Sequence, residues 1–128
     1  MDLNSPVVQL CVEGTRAEYA GNLKDARALY WQAWNTAKDD FEACIAAHYV
    51  ARFQENPEDI LFWNQEALDR ANVVKNDLVK DFYPSLYLNM GHSHELLGNS
   101  SEAQTYYDLA AQLGYRHLEE ENKQVRQE

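Results

Sequence analysis

One unit occurs twice in this chain, and its internal spacing constrains the fold more than any other feature. Gly14…Gly21-Asn22-Leu23-Lys24-Asp25-Ala26…Tyr30…Ala33 returns as Gly91…Gly98-Asn99-Ser100-Ser101-Glu102-Ala103…Tyr107…Ala110. Each copy reads as a helix, a tight turn and a second helix. The glycine seven positions before the turn is small enough for two helices to approach closely there. The Ala, Tyr and Ala after the turn follow at helical spacing and share one face. Gly21 supplies the left-handed conformation that closes a helix. Asn22 and Asn99 then read as caps, with Asp25 and Glu102 three residues on in capping-box positions.

The rest of the chain fits the same grammar. Ser5-Pro6 is a helix start, and the first helix runs to about Ala20 with Val7, Leu10, Gly14 and Ala17 inward. A second unit begins near Asp40, with Cys44, Ala47, His48 and Ala51 facing a core. Its turn is Glu55-Asn56-Pro57-Glu58-Asp59, which lacks glycine but gives a strong helix start at Asn56-Pro57. Ile60, Trp63, Ala67, Ala71 and Val74 form the stripe of the helix that follows. Extra residues fall near 74–82. They predict an early extension of the next helix, broken or kinked near Tyr83 by Pro84. Tyr87, Met90, Gly91, His94 and Leu97 make the buried face of that helix.

These units resemble the tetratricopeptide repeat, a helix-turn-helix of 34 residues. The resemblance implies an all-α, right-handed superhelix of three helix pairs with a C-terminal capping helix. The repeats fall at about residues 7–40, 41–83 (degenerate and extended) and 84–117, and the cap at about 115–126. All of it forms one domain.

Composition narrows the function classes. The 128 residues carry 11 Lys+Arg against 21 Asp+Glu, a formal charge of −10. Such a chain is repelled by nucleic acid and by anionic membranes. No apolar run approaches the ~20 residues that span a bilayer. The first residues lack the basic-then-apolar order of a signal peptide, so the chain reads as cytoplasmic. Cys11 and Cys44 have no metal-type spacing and read as buried thiols.

Little in the sequence carries chemistry. His92 and His94 are two apart on a helix and point away from each other, so they do not share a metal. Nucleophile elbows, phosphate loops and dinucleotide fingerprints are absent from the sequence. The reading is therefore non-catalytic, with no cofactor and no metal.

The resemblance also implies where binding occurs, because the first helix of each repeat lines a concave groove. Carried onto this chain, the groove presents Thr15, Glu18 and Tyr19, then Ile45, Tyr49, Arg52 and Phe53, then Leu88, Asn89, His92 and Glu95. Aromatic bodies beside Arg52 and His92 suit a partner peptide or protein segment. The alternative at this stage is that Arg52 only pairs with Glu18 or Glu95 across neighbouring helices. The cationic clamp of chaperone-binding tetratricopeptide domains is missing: Cys11, Thr15, Ala46, Ser85 and Asn89 stand at those places, and of these only Asn89 hydrogen-bonds in a comparable way. Two further readings remain open. One is a self-associating structural protein, with Trp31 and Phe62 on outer helix faces as the contact. The other is a sensor of short signalling peptides.

Overall fold

The computed structural model describes residues 4–74 and 77–115. They form seven α-helices, with no strand among the described residues: α1 (Pro6–Tyr19), α2 (Leu23–Thr36), α3 (Asp40–Ala51), α4 (Pro57–Val74), α5 (Asp77–Lys80), α6 (Tyr83–Leu96) and α7 (Ser100–Ala110). A π-helical turn, Ala111–Tyr115, follows α7, with Gly114 at φ 127° inside it. Apart from Tyr115, the expected capping helix lies outside the described residues. Helices α1 and α2, α3 and α4, and α6 and α7 pack as antiparallel neighbours joined by short turns.

The turns repeat because their chemistry does. At the end of α1, Gly21 sits at φ 83°, and the Asn22 N–H donates to the Ala17 carbonyl at 2.8 Å. At the end of α6, Gly98 sits at φ 79°, and Asn99 N–H donates to the His94 carbonyl at 2.8 Å. Both are the six-to-one closure that glycine makes inexpensive. The two pairs also share a crossing. A Cβ on Gly14 would lie 2.8 Å from Tyr30 Cδ1, and one on Gly91 would lie 2.6 Å from Tyr107 Cε1. Glycine is required at both places by a ring from the partner helix, not by backbone conformation.

Helix α3 occupies the middle. It contacts α1, α2 and α4, and its buried positions are Ala43, Cys44, Ala46, Ala47, Val50 and Ala51. Small side chains around most of its circumference let three helices reach it at once. On one flank, Cys44 and Ala47 join Ala67, Leu68, Ala71, Val79, Leu86 and Met90 in the largest apolar cluster. On the other, Ala46 meets Val7, Cys11 and Ala33, while Val50 meets Ala26 and Tyr30.

The helix starts differ from the sequence reading. Asn56 does cap α4, its side-chain oxygen accepting from Glu58 N–H at 2.8 Å. Asn22 and Asn99 occupy N-cap positions but make no side-chain cap bond, and Asn99 instead turns its amide to His94. Ser5 likewise holds the N-cap position of α1 without a side-chain cap bond, its hydroxyl donating instead across the fold to Glu42 at 2.5 Å. The cap of α3 is Asp39, accepting from Glu42 N–H at 2.8 Å. Near the extra residues, the chain forms the short α5 and then a turn at Asp81–Phe82. The break therefore precedes Tyr83, and Pro84 sits harmlessly in the first turn of α6.

Two stability predictions follow from these contacts. Ala at a helical glycine would ordinarily gain ~1 kcal/mol, but overpacking costs ~1–3 kcal/mol. The Tyr30 ring is fully buried and the Tyr107 ring only partly so. Gly14→Ala should therefore destabilise more than Gly91→Ala in urea unfolding, and Gly91→Ala/Tyr107→Leu should recover part of the loss. Equal or opposite ranking would contradict the crossing. Asn56→Ala and Asp39→Ala should each cost ~1 kcal/mol by stranding a first-turn N–H, whereas Asn22→Ala should leave the urea midpoint nearly unchanged.

Candidate functional site

The first helices of the three pairs are linked side by side through polar contacts. The Glu18 carboxylate of α1 accepts from the guanidinium of Arg52, the residue that ends α3. His48 of α3 meets Asn89 of α6, with Asn89 Nδ2 3.1 Å from His48 Nδ1. The expected groove residues thus divide into two groups that His48 and Tyr49 connect.

The first group surrounds the Tyr30 ring. Tyr30 OH donates to Glu18 at 2.9 Å and lies 3.3 Å from the Thr15 hydroxyl, which itself donates to the Cys11 carbonyl at 2.9 Å. Tyr49 stacks on the same ring with centroids 5.0 Å apart, and Phe53 tilts against it at 5.4 Å. Arg52 closes the set by binding Glu18. The guanidinium is therefore not a free positive charge, and of its two candidate partners, Glu18 and Glu95, it takes Glu18. With the Arg52 side chain 51% exposed and that of Glu18 24%, such a pair contributes only ~0–1 kcal/mol. Tyr49 is likewise half-buried in this cluster and is not a freely presented anchor.

Burial works against ionisation of the Glu18 carboxyl, but the hydrogen bonds from Arg52 and Tyr30, with the charge of Arg52, bring it below its ordinary value. Burial pushes the Tyr30 hydroxyl up to about 12 and the Cys11 and Cys44 thiols up to about 12 and about 11. Both cysteines are buried and unpaired thiols, so neither is a poised nucleophile.

The second group borders an apolar cleft of about 210 Å³ between α3 and α6. Cys44, Ile45, Phe82 and Leu86 form its walls, and His48, Tyr49 and Ser85 bring the polar atoms to it. Among the expected groove residues, Ile45 and Tyr49 line it and Asn89 supports it from behind through His48. Leu88 is half-buried and His92 and Glu95 are exposed, but none of the three lines the cleft. Tyr19 is 89% exposed at the end of α1, away from the Tyr30 cluster. The outer-face aromatics also separate. Trp31 is half-buried, edge-on to Trp63 at 5.2 Å, while Phe62 remains 58% exposed.

Several contributors were not legible as site residues. Tyr30 reads in the sequence as one more stripe residue, yet its hydroxyl organises Thr15 and Glu18. Those two are three apart on α1, and that spacing facing a tyrosine was the available signal. Between α4 and α6, buried Asn64 donates to the buried Ser93 hydroxyl at 2.8 Å, and Ser93 donates to the Asn89 carbonyl at 2.7 Å. A wider recess of about 450 Å³ opens at the α2–α3 junction beside Trp34, Lys38 and Asp40. Its Arg70 is already held by Asp40 at 2.9 Å and Glu66 at 2.8 Å and lies over the Trp34 ring. Among the described residues, no group of three or more His, Cys, Asp or Glu side chains is placed to hold a metal ion, and no helix is long and apolar enough to cross a membrane. No protein-family model, curated protein or solved structure matches the chain.

The half-buried imidazole of His48 gives a pH prediction. Burial, aided by the nearby Arg52 charge, lowers His48 below its ordinary 6.5. The unfolded chain then takes up the proton first as pH falls, so stability is intact above 6.5 and declines below it. Glu18, whose value is also lowered, adds a loss that begins only below 4.5. Urea midpoints across this range should fall for the wild type below 6.5 and flatten for His48→Phe. Parallel slopes for the two proteins would show that His48 is not the titrating group.

Proposed function

We propose that the chain is a small tetratricopeptide-like array, a superhelix of three helix pairs, and that it acts as a non-catalytic binding module for a peptide or protein segment. The repeated Gly–Tyr crossings in the first and last pairs support the array. The apolar cleft between α3 and α6 is the observation that carries the binding reading. It lies where neighbouring first helices meet and combines apolar walls with a few polar atoms, the composition of recognition sites. The Tyr30–Glu18–Arg52 cluster beside it serves to hold α1 and α3 in register more than to offer charge.

Ser85 is exposed at the cleft, so Ser85→Trp should fill it without disturbing the core. Capture from a native lysate by the wild type and by Ser85→Trp, both checked by circular dichroism, tests the reading. A partner bound by the wild type should be lost by the variant, by about tenfold or more. Retention of every partner by folded Ser85→Trp would rule the cleft out.

A second reading, self-association, is favoured by exposed Phe62 and Val73, which lie three turns apart on one face of α4. Solution mass separates it: a dimer built on that face is lost in Phe62→Glu and untouched by Ser85→Trp.

A further inference from the structure

We infer that the outer side of α4 docks a basic, amphipathic segment of another protein. This surface is separate from the cleft between α3 and α6 and does not depend on it. The helical period places Glu58, Asp59, Phe62, Glu66, Asp69 and Val73 within about 100° of arc. They stand opposite Asn64, Ala67, Leu68 and Ala71, the positions that α4 buries. Phe62 and Val73 are exposed, and carboxylates occupy the turns before and between them. The Phe62 ring is held edge-on to Trp63 with centroids 5.4 Å apart. Two apolar anchors about 16 Å apart along one helix suit a stretch of chain, not a small molecule.

Charge decides between the occupants. Glu58, Asp59 and Asp69 are exposed and form no ion pair among the described residues. Asp69 accepts from the neutral amide of Gln65 at 2.9 Å, which leaves its charge uncompensated. Glu66 holds Arg70, but Asp40 shares that guanidinium, so Arg70 adds no net positive charge to the face. Arg27 of α2 donates to the Phe53 carbonyl at 3.2 Å and lies 3.9 Å from Glu55, before α4 begins. In the sequence past Val73, Lys75 and Lys80 are balanced by Asp77 and Asp81. The negative excess is therefore centred on Phe62. A second copy would meet this excess with its own. Two-fold pairing of Phe62 with the other copy's Val73 sets Asp69 against its Glu66 and Glu58 against its Asp77. Pairing Phe62 on Phe62 sets Glu58 against Glu66. Lysine or arginine beside apolar side chains complements the acids and the anchors together, and a cation also suits the Phe62 ring.

The test uses capped, fluorescent amphipathic peptides with leucines on one helical face, flanked by lysines, glutamines or glutamates. Anisotropy at low salt should show the lysine peptide binding, the glutamine peptide about tenfold weaker and the glutamate peptide weaker still. Phe62→Ser keeps every charge and should weaken the lysine peptide about tenfold. Glu58→Gln/Asp69→Asn should weaken it about fivefold. Glu13→Gln/Glu102→Gln removes two exposed acids from α1 and α7 instead, with the same change in net charge, and should stay within about twofold. Circular dichroism checks the fold of each variant. Failure of the lysine peptide to bind, Phe62→Ser binding like the wild type, or equal losses in the two charge pairs would overturn the inference. So would a wild-type dimer in solution that Phe62→Glu dissolves, because a second copy then covers the face. Ser85→Trp should bind the lysine peptide as the wild type does, and a loss there would move the peptide to the cleft and overturn the assignment to α4. Lysate capture of a partner sensitive to Ser85→Trp is a separate readout, so the cleft reading and this one fail independently.

Discussion

Most of the structure depends on where one tyrosine ring is held. Tyr30 of α2 lies against Gly14, where even a methyl group on α1 would collide with it. That contact sets the distance between the first two helices. Tyr49 and Phe53 pack on the same ring, so the same group fixes α3 against the first pair. Its hydroxyl, buried with the rest, must find partners, because an unpaired buried donor costs ~1–3 kcal/mol. Glu18 and Thr15 supply them, and Glu18 in turn recruits Arg52. A steric contact, a stack and a short polar chain thus lock three helices with one side chain.

The second half reaches the same end by other means. Gly91 and Tyr107 repeat the crossing, but Tyr107 is only partly buried. Tyr87, Tyr106 and His94 form a looser aromatic row beside it, His94 lying parallel to Tyr106 at 5.6 Å. Between the halves, α3 presents mostly alanine and cysteine to its neighbours, so it can be approached from several sides without voids. The cost of that design is little bulk to fill the gap toward α6. Phe82 stacks over Phe41 at 6.0 Å and covers part of it, and what remains is the apolar cleft. The site is therefore a by-product of small residues at the centre of the fold.

A chain of polar contacts reaches from α4 to His48 at the edge of the cleft. Asn64, Ser93 and the Asn89 carbonyl form a buried chain from α4 into α6, and the Asn89 amide then orients His48. Each member is satisfied, which is the condition under which buried polar groups specify a structure rather than weaken it. The imidazole is held at its Nδ1 by the Asn89 side chain.

Of the interactions within about four residues, the turn glycines and the Asn56 cap were legible from the sequence, whereas the side-chain caps expected at Ser5, Asn22 and Asn99 do not form. Gly21 and Gly98 close helices because their neighbours demand a left-handed residue, and Asn56-Pro57 starts a helix by local hydrogen bonding alone. The close-packing role of Gly14 and Gly91 was legible too, since the repeated spacing to Tyr30 and Tyr107 marks a crossing twice. What tertiary structure decided lies at separations of thirty residues or more, where the crossing of helices chooses among partners that local pattern leaves equivalent. Ser5 and Asp39 are both capable caps, yet Ser5 turns to Glu42 because α1 passes over the start of α3. Glu18 and Glu95 were equal candidates for Arg52 until α1 came alongside α3. The cleft is the extreme case: Ile45, His48 and Ser85 acquire a shared role only because α6 stops short of α3, and no local signal encodes a gap.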